Sequence, residues 1–222
     1  MDRPPLNDPP AAPEGTPARR PLTFRRLFGL DRSGPPPPQT LAGAPLNPWT
    51  IPNAIGFLRL GLIPVFLVVA FSSGDGSGVA PALLFALIAW GDYADGIAAR
   101  VTGQYSRLGT LLDPITDRLL VASGLIVCWW GDLLPRWALA VLVAREVLML
   151  IVGPIYVRKG LELRINWPGR IGVWPVMASI FVGLCGLYTF GAALLYIGLF
   201  FTLWATVEYG RDAVRQLRAR RV

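Results

Sequence analysis

Apolar and polar positions fall in long blocks along this chain, not at the short periods of soluble helices or strands. Six apolar stretches stand out, roughly 51–71, 79–100, 108–130, 135–157, 171–187 and 190–209. Most match the length of about 20 residues that a helix needs to cross a bilayer. Pro64, Pro154 and Pro175 lie inside these stretches, a placement that membrane helices tolerate better than soluble ones. The pattern predicts an all-α integral membrane bundle of six transmembrane helices.

Charge in the connecting segments alternates. The residues before the first span hold six arginines, and "SSGDGSGVA" after it holds no Lys or Arg. The next connection carries Arg100 and Arg107, then "GDLLPR" only Arg136. "VRKGLELRINWPGR" carries Arg158, Lys159, Arg164 and Arg170, the stretch around "GLYTFGA" nothing, and the C-terminal end five arginines. Basic residues collect on the cytoplasmic side of membrane proteins. Both termini are therefore expected in the cytoplasm, with Arg136 alone out of step.

Three regions follow. Residues 1–46 are rich in proline, including "GPPPPQ", and poor in large apolar residues, so a disordered cytoplasmic tail is expected there. No apolar core follows its basic start, so it does not read as a signal peptide. Within it "PLTFRRLFGLDR" (21–32) has the mix of a short interfacial helix or of a basic tail. Residues 47–210 form the membrane domain and 211–222 a basic cytoplasmic tail, whose arginines suit orientation or anionic lipid headgroups.

Composition narrows the class. The 222 residues are 53% hydrophobic with mean hydropathy +0.48, too apolar for an ordinary soluble domain. Net charge is +7, with basic residues between spans, which argues for membrane orientation and against a nucleic-acid partner. The absence of histidine excludes a His base or a His metal ligand. Cys128 and Cys185 lie in apolar runs and read as inert packing residues, not a disulfide. The 8 Trp and 6 Tyr are expected at the interfaces or in packing.

One stretch breaks the apolar pattern: "GDYADGIAARVTGQYSRLGTLLDPITD", residues 91–117, with four aspartates. The second and third spans form a hairpin that turns near Gln104. Asp95 and Asp113 are equally far from that turn on opposite arms, and Asp92 and Asp117 lie one helical turn deeper. Spacings of i,i+3 and i,i+4 put each pair on one helical face. All four can meet roughly 13 to 20 Å from the turn, at about 1.5 Å per residue.

Four adjacent carboxylates need compensating charge. All-oxygen ligands are hard and suit Mg²⁺, Mn²⁺ or Ca²⁺. Four Asp can hold two such ions at the ~3.5–4 Å spacing of two-metal phosphoryl chemistry. Gly91, Gly96, Ala98, Ala99 and Gly109 leave room for a ligand or for close helix approach. An interhelical ion-pair network with Arg100, Arg107 or Arg118 is one alternative, and a cation or proton transporter another.

Written out, the pattern is Asp92-x2-Asp95-Gly96-x2-Ala99-Arg100-x8-Gly109-x3-Asp113-x3-Asp117. It resembles the full signature of the CDP-alcohol phosphotransferase family, and "TIPNAIGFLRL" and "VAREV" are similar to bacterial members that make glycerophospholipids. The resemblance covers most of residues 49–170. It implies a six-helix membrane fold, usually a homodimer in the bacterial inner membrane with the site facing the cytoplasm. An alcohol acceptor attacks a CDP-linked donor, CDP-diacylglycerol here, and CMP leaves. By position, Asp92, Asp95, Asp113 and Asp117 resemble ligands of two divalent cations (Mg²⁺ or Mn²⁺), and Asp117 the general base. Asp92, Asp95, Gly96, Ala99, Arg100 and Gly109 resemble the CDP contacts. Membrane prenyltransferases also use paired aspartate motifs, but far apart in sequence; here Asp95 and Asp113 share one hairpin.

Other residues are placed by chemistry. Arg59, in the first span, either snorkels to the interface or faces the CDP diphosphate or an acceptor phosphate. Arg145, beside Glu146, is either half of a buried pair or, with Arg158 and Arg170, a site for an acceptor phosphate. Glycerol 3-phosphate is the leading acceptor, giving phosphatidylglycerophosphate; phosphatidylglycerol, giving cardiolipin, and inositol phosphate are the alternatives. Arg118 stands where phosphatidylglycerophosphate synthases more often have Lys.

Overall fold

The computed structural model describes residues 40, 45–158 and 167–219. They form six helices, with no strand among the described residues: α1 (Ile51–Ser72), α2 (Val79–Thr102), α3 (Arg107–Trp130), α4 (Arg136–Arg158), α5 (Trp167–Leu184) and α6 (Tyr188–Ala219). Each stands where an apolar block predicts it. The proposed interfacial helix 21–32, nearly all of the 1–46 tail, and Lys159 and Arg164 lie outside the described residues. Three helices are long and apolar enough to cross a membrane: Ile51–Ser72, Val79–Thr102 and Tyr188–Gln216. α3 and α4 interrupt their apolar runs with Asp113, Asp117 and Arg118, and with Arg145 and Glu146.

Local chemistry sets the helix ends. Thr50 caps α1, its side chain accepting from the Asn53 backbone N–H, with Pro52 in the first turn, where a missing N–H costs nothing. Gly103 ends α2 in the left-handed conformation (φ 66°), which glycine adopts without strain. Ser106 then caps α3 by accepting from Gly109 N at 2.9 Å. The hairpin turn is therefore as short as the sequence predicts. Two boundaries differ. α5 begins before its predicted start and ends earlier, at Leu184, which leaves Cys185 outside the helix and exposed; Cys128 is buried as expected. α6 continues through Gly210 and the basic segment to Ala219: no proline follows the apolar block, and Arg, Gln, Leu and Ala are good helix formers. Arg136 pairs with Asp132 at 3.1 Å, which neutralises the one basic residue out of step with the alternation.

Most of the buried interior is apolar, with Phe66, Phe85, Ile88, Leu120, Leu139, Ile180 and Leu195 all enclosed; Asn53, Arg59 and Asp95 are among the buried polar exceptions. Phe66 and Phe85 meet at 5.7 Å in a tilted pair between α1 and α2. The outside is apolar too, with Leu58, Val68, Leu83, Trp90, Trp174 and Phe200 among many exposed large side chains. A soluble surface does not tolerate such coverage; a bilayer does. The protein is a membrane protein with an interior packed by van der Waals contact.

Two packing features position the site. α1 packs extensively against both α2 and α3, more than those arms pack on each other. The hairpin arms are therefore splayed, and α1 lies between them. On the far side α5 and α6 make the most extensive helix pair among the described residues. Missing side chains bring their backbones together: a Cβ on Gly198 would stand 2.6 Å from Val176 Cγ2 and 2.9 Å from Val176 N.

Gly198→Val should therefore force the α5 and α6 backbones apart. Overpacking of this kind costs about 1–3 kcal/mol, and thermal unfolding of the detergent-solubilised protein should show a lower melting temperature.

Candidate active site

All four hairpin aspartates sit at the level where α1 passes between the arms, but they do not simply face one another. Arg59 of α1 enters between them. Its Nη1 donates to Asp92 Oδ1 and to Asp95 Oδ2, each at 3.1 Å, and its Nη2 donates to Asp117 Oδ1 at 2.8 Å. Its Nε donates to the Ile88 carbonyl of α2 at 3.0 Å. The Arg59 side chain is 3% exposed. It does not snorkel to the interface; it turns inward onto the aspartates.

Gly91 makes this possible. A Cβ there would come within 2.8 Å of Arg59 Cγ and Cδ, so the arginine stem lies in the gap left by a missing side chain. Asp95 forms the floor of the cluster, with a side chain 7% exposed, whereas Asp92 and Asp117 are open at 48% and 51%. Asp113 accepts no hydrogen bond from any described residue. The ion pairing differs from the arginines expected from the sequence: Arg59 takes the central place, and Arg118 turns to Glu146 at 3.7 Å.

Beside Asp95 and Asp113 opens a cavity of about 80 Å³. Gly96, Ala99 and Gly109 line it, so five positions of the aspartate signature border one space. Arg100 lies along α2, its Nη2 3.3 Å from where a Gly96 Cβ would stand. The rest of the lining includes Asn53, Gln104, Tyr105 and Ser106 from the α1 start and the hairpin turn. Sequence reasoning gave Asn53 little weight and passed over the other three. Asn53 is buried, and it ties the parts together: its Nδ2 donates to the Asn47 and Pro48 carbonyls, and its Oδ1 accepts from Ser106 Oγ at 2.7 Å. The signals were present as a Thr N-cap with Asn three residues on in "TIPN" and a Ser three residues before Gly109.

The residues suit a hard divalent cation by chemistry: four carboxylates and no sulfur or nitrogen ligand. Three of them already gather around one positive group, so this point of the protein attracts cations. Among the described residues no three acidic side chains stand as a finished ligand shell, because the guanidinium lies between them.

Of the arginines placed at an acceptor phosphate, Arg145 is engaged away from this cluster. Arg145 forms an ion pair with Glu146, and its Nε donates to Thr206 Oγ1 of α6 at 3.1 Å. This is an ion pair like the one expected as its alternative, but part-buried, with Glu146 a third exposed. Arg158 ends α4 and Arg170 lies in the first turn of α5, at either end of the loop 159–166; their side chains lie outside what the structure describes.

Comparison with known proteins follows the same stretch of chain. The family described as CDP-alcohol phosphatidyltransferase matches residues 49–204. A cardiolipin synthase (CMP-forming) of Streptomyces coelicolor is 38% identical over 133 residues, 58% of this chain and 61% of that protein. A provisionally named cardiolipin synthase of Mycobacterium tuberculosis is 36% identical over 171 residues, 72% of this chain and 80% of that protein. A CDP-diacylglycerol–glycerol-3-phosphate 3-phosphatidyltransferase of Bacillus subtilis is 28% identical over 180 residues, covering 72% and 93%.

The Asn53 latch has a measurable strength. Asn53→Ala should lower stability by about 1–3 kcal/mol, the cost of leaving buried partners unpaired. Ser106→Ala should cost about 0.5–2 kcal/mol through its cap. Thermal unfolding of both variants in detergent checks these values.

Proposed function

The chain belongs to the CDP-alcohol phosphatidyltransferase family, and from that premise we propose that it moves a phosphatidyl group from CDP-diacylglycerol to a glycerol-type alcohol and releases CMP. The supporting observation is the cavity that borders Asp95, Gly96, Ala99, Gly109 and Asp113 together, beside the cluster of Asp92, Asp95 and Asp117.

In this reading the CDP diphosphate lies against the signature residues, with Asp92, Asp95, Gly96, Ala99, Arg100 and Gly109 as its contacts and the Arg59 charge behind them. Asp92, Asp95, Asp113 and Asp117 would hold two divalent cations, Mg²⁺ or Mn²⁺, which when bound would supply charge neutralisation for the diphosphate and for departing CMP. Asp117 takes the proton of the acceptor hydroxyl. Half of its side chain is open, and the chain has no histidine to serve instead. The acceptor oxygen bonds to the phosphatidyl phosphorus, and the bond from that phosphorus to the CMP oxygen breaks. Holding both reactants in one cleft supplies orientation.

Two acceptors fit a glycerol-type site. Higher identity to proteins named cardiolipin synthase, 36–38% against 28%, favours phosphatidylglycerol. The engagement of Arg145 by Glu146 and Thr206 points the same way, since it occupies a cation that a small phosphate acceptor would use. Glycerol 3-phosphate, first in the sequence reading, is the second choice; the name of the Bacillus subtilis relative supports it, with Arg145, Arg158 and Arg170 as the acceptor-phosphate residues. The layout proposed is six crossings by residues 47–210, both termini and the site on the cytoplasmic side of the bacterial inner membrane, and two copies per enzyme. The alternation of basic segments supports that orientation.

Purified protein given labelled CDP-diacylglycerol with each acceptor should form cardiolipin from phosphatidylglycerol; label in phosphatidylglycerophosphate alone selects the second acceptor, and no lipid product with either rejects the reading. Asp117→Asn should lower CMP release by about 10²–10⁴-fold, the usual loss of a general base, with the melting temperature kept. EDTA should silence the wild type, and millimolar Mg²⁺ or Mn²⁺ should restore it.

A further inference from the structure

We propose that Arg59 is a built-in counter-cation of the aspartate cluster: it holds Asp92, Asp95 and Asp117 together before divalent cations arrive, and then shares those carboxylates with them. The inference rests on the reading that these aspartates hold divalent cations.

Geometry carries it first. The two terminal nitrogens of one guanidinium reach three carboxylates on α2 and α3, at 2.8 to 3.1 Å. The same group is anchored from behind. Its Nε is bonded to the Ile88 carbonyl, and its stem lies in the gap at Gly91. Withdrawal along its own stem would break the Ile88 bond and empty the Gly91 gap. Arg59 is thus a fixed part of the site, not a side chain passing through it.

Charge gives the consequence. Four carboxylates with Arg59 carry a net of three negative charges; without it they carry four. A guanidinium and a divalent cation that share oxygens compete for them and repel each other. Arg59 therefore weakens cation binding to the donor-free protein. It acts the other way on the donor. With two divalent cations bound, the cluster sums to zero without Arg59 and to one positive charge with it. An anionic diphosphate is drawn to the positive site. One side chain thus opposes the cations and assists the donor, whereas a residue that merely supports the fold would, when lost, weaken both.

The test compares wild type, Arg59→Gln and Arg59→Lys as full-length protein in detergent. Mn²⁺ affinity without donor is read from the free-ion paramagnetic resonance signal, and the KM for CDP-diacylglycerol from CMP release at saturating Mn²⁺. Arg59→Gln should bind Mn²⁺ about tenfold tighter, equivalent to about 1.4 kcal/mol, while its KM for the donor rises about tenfold or more. Its melting temperature in EDTA should fall, and Mn²⁺ should raise it by more degrees than it raises the wild type's. Arg59→Lys keeps the charge but cannot bridge three carboxylates, so its Mn²⁺ affinity should lie between the two. Unchanged or weaker Mn²⁺ binding in Arg59→Gln overturns the inference. If that variant does not fold, the same outcome in Arg59→Lys overturns it. Absence of Mn²⁺ binding in every form, wild type included, overturns the metal reading of the site along with it.

Discussion

A buried guanidinium surrounded by carboxylates from two other helices fixes where α1, α2 and α3 cross. Lone charges inside a membrane protein are costly, and breaking a buried pair costs more than the pair itself contributes. Arg59 and Asp95 are both enclosed, so neither can be left alone. Asp92 and Asp117 are half open, and their contacts are correspondingly weaker. The arrangement gives the crossing one register. Moving α1 by a helical turn would leave Arg59 in apolar surroundings and three aspartates without a partner.

Other features follow from that crossing. Because α1 occupies the space between α2 and α3, the hairpin arms are splayed near the aspartates and meet at the short turn of residues 103–106. The cavity lies between the cluster and that turn, so the same geometry that spreads the aspartates provides the space beside them. The α5–α6 pair is built differently. Glycines there bring two backbones into contact, which gives a close-packed support. A polar, spread half and an apolar, close-packed half divide the labour between chemistry and scaffold.

Much of this was legible in the sequence. Apolar blocks mark the helices because lipid imposes length and composition on every crossing. The aspartates were legible because helical spacing alone puts each pair on one face. What sequence could not give was the third helix. Spacing along α1 says how deep Arg59 lies but not that α1 passes between the hairpin arms, so its choice between interface and interior stayed open. Arg145 was open for a similar reason: its partner Thr206 is on α6, and no local pattern links them. Asn53 and Ser106 are also far apart in sequence, and their bond exists only once α1 meets the hairpin turn. The continuation of α6 to Ala219 went unread because hydropathy reports where lipid ends, not where a helix does.

The short strand of chain leading into α1 has an unusual address. Asn47 and Pro48 give their carbonyls to Asn53, Leu46 accepts from Leu108 of α3, and Ile51 N–H reaches Gln104 in the hairpin turn. Thr40, further upstream, lies on the cavity wall. The polypeptide therefore enters the membrane body through the doorway of its own cleft. A change made at residues 46–48 therefore acts on that doorway and not on a remote part of the molecule.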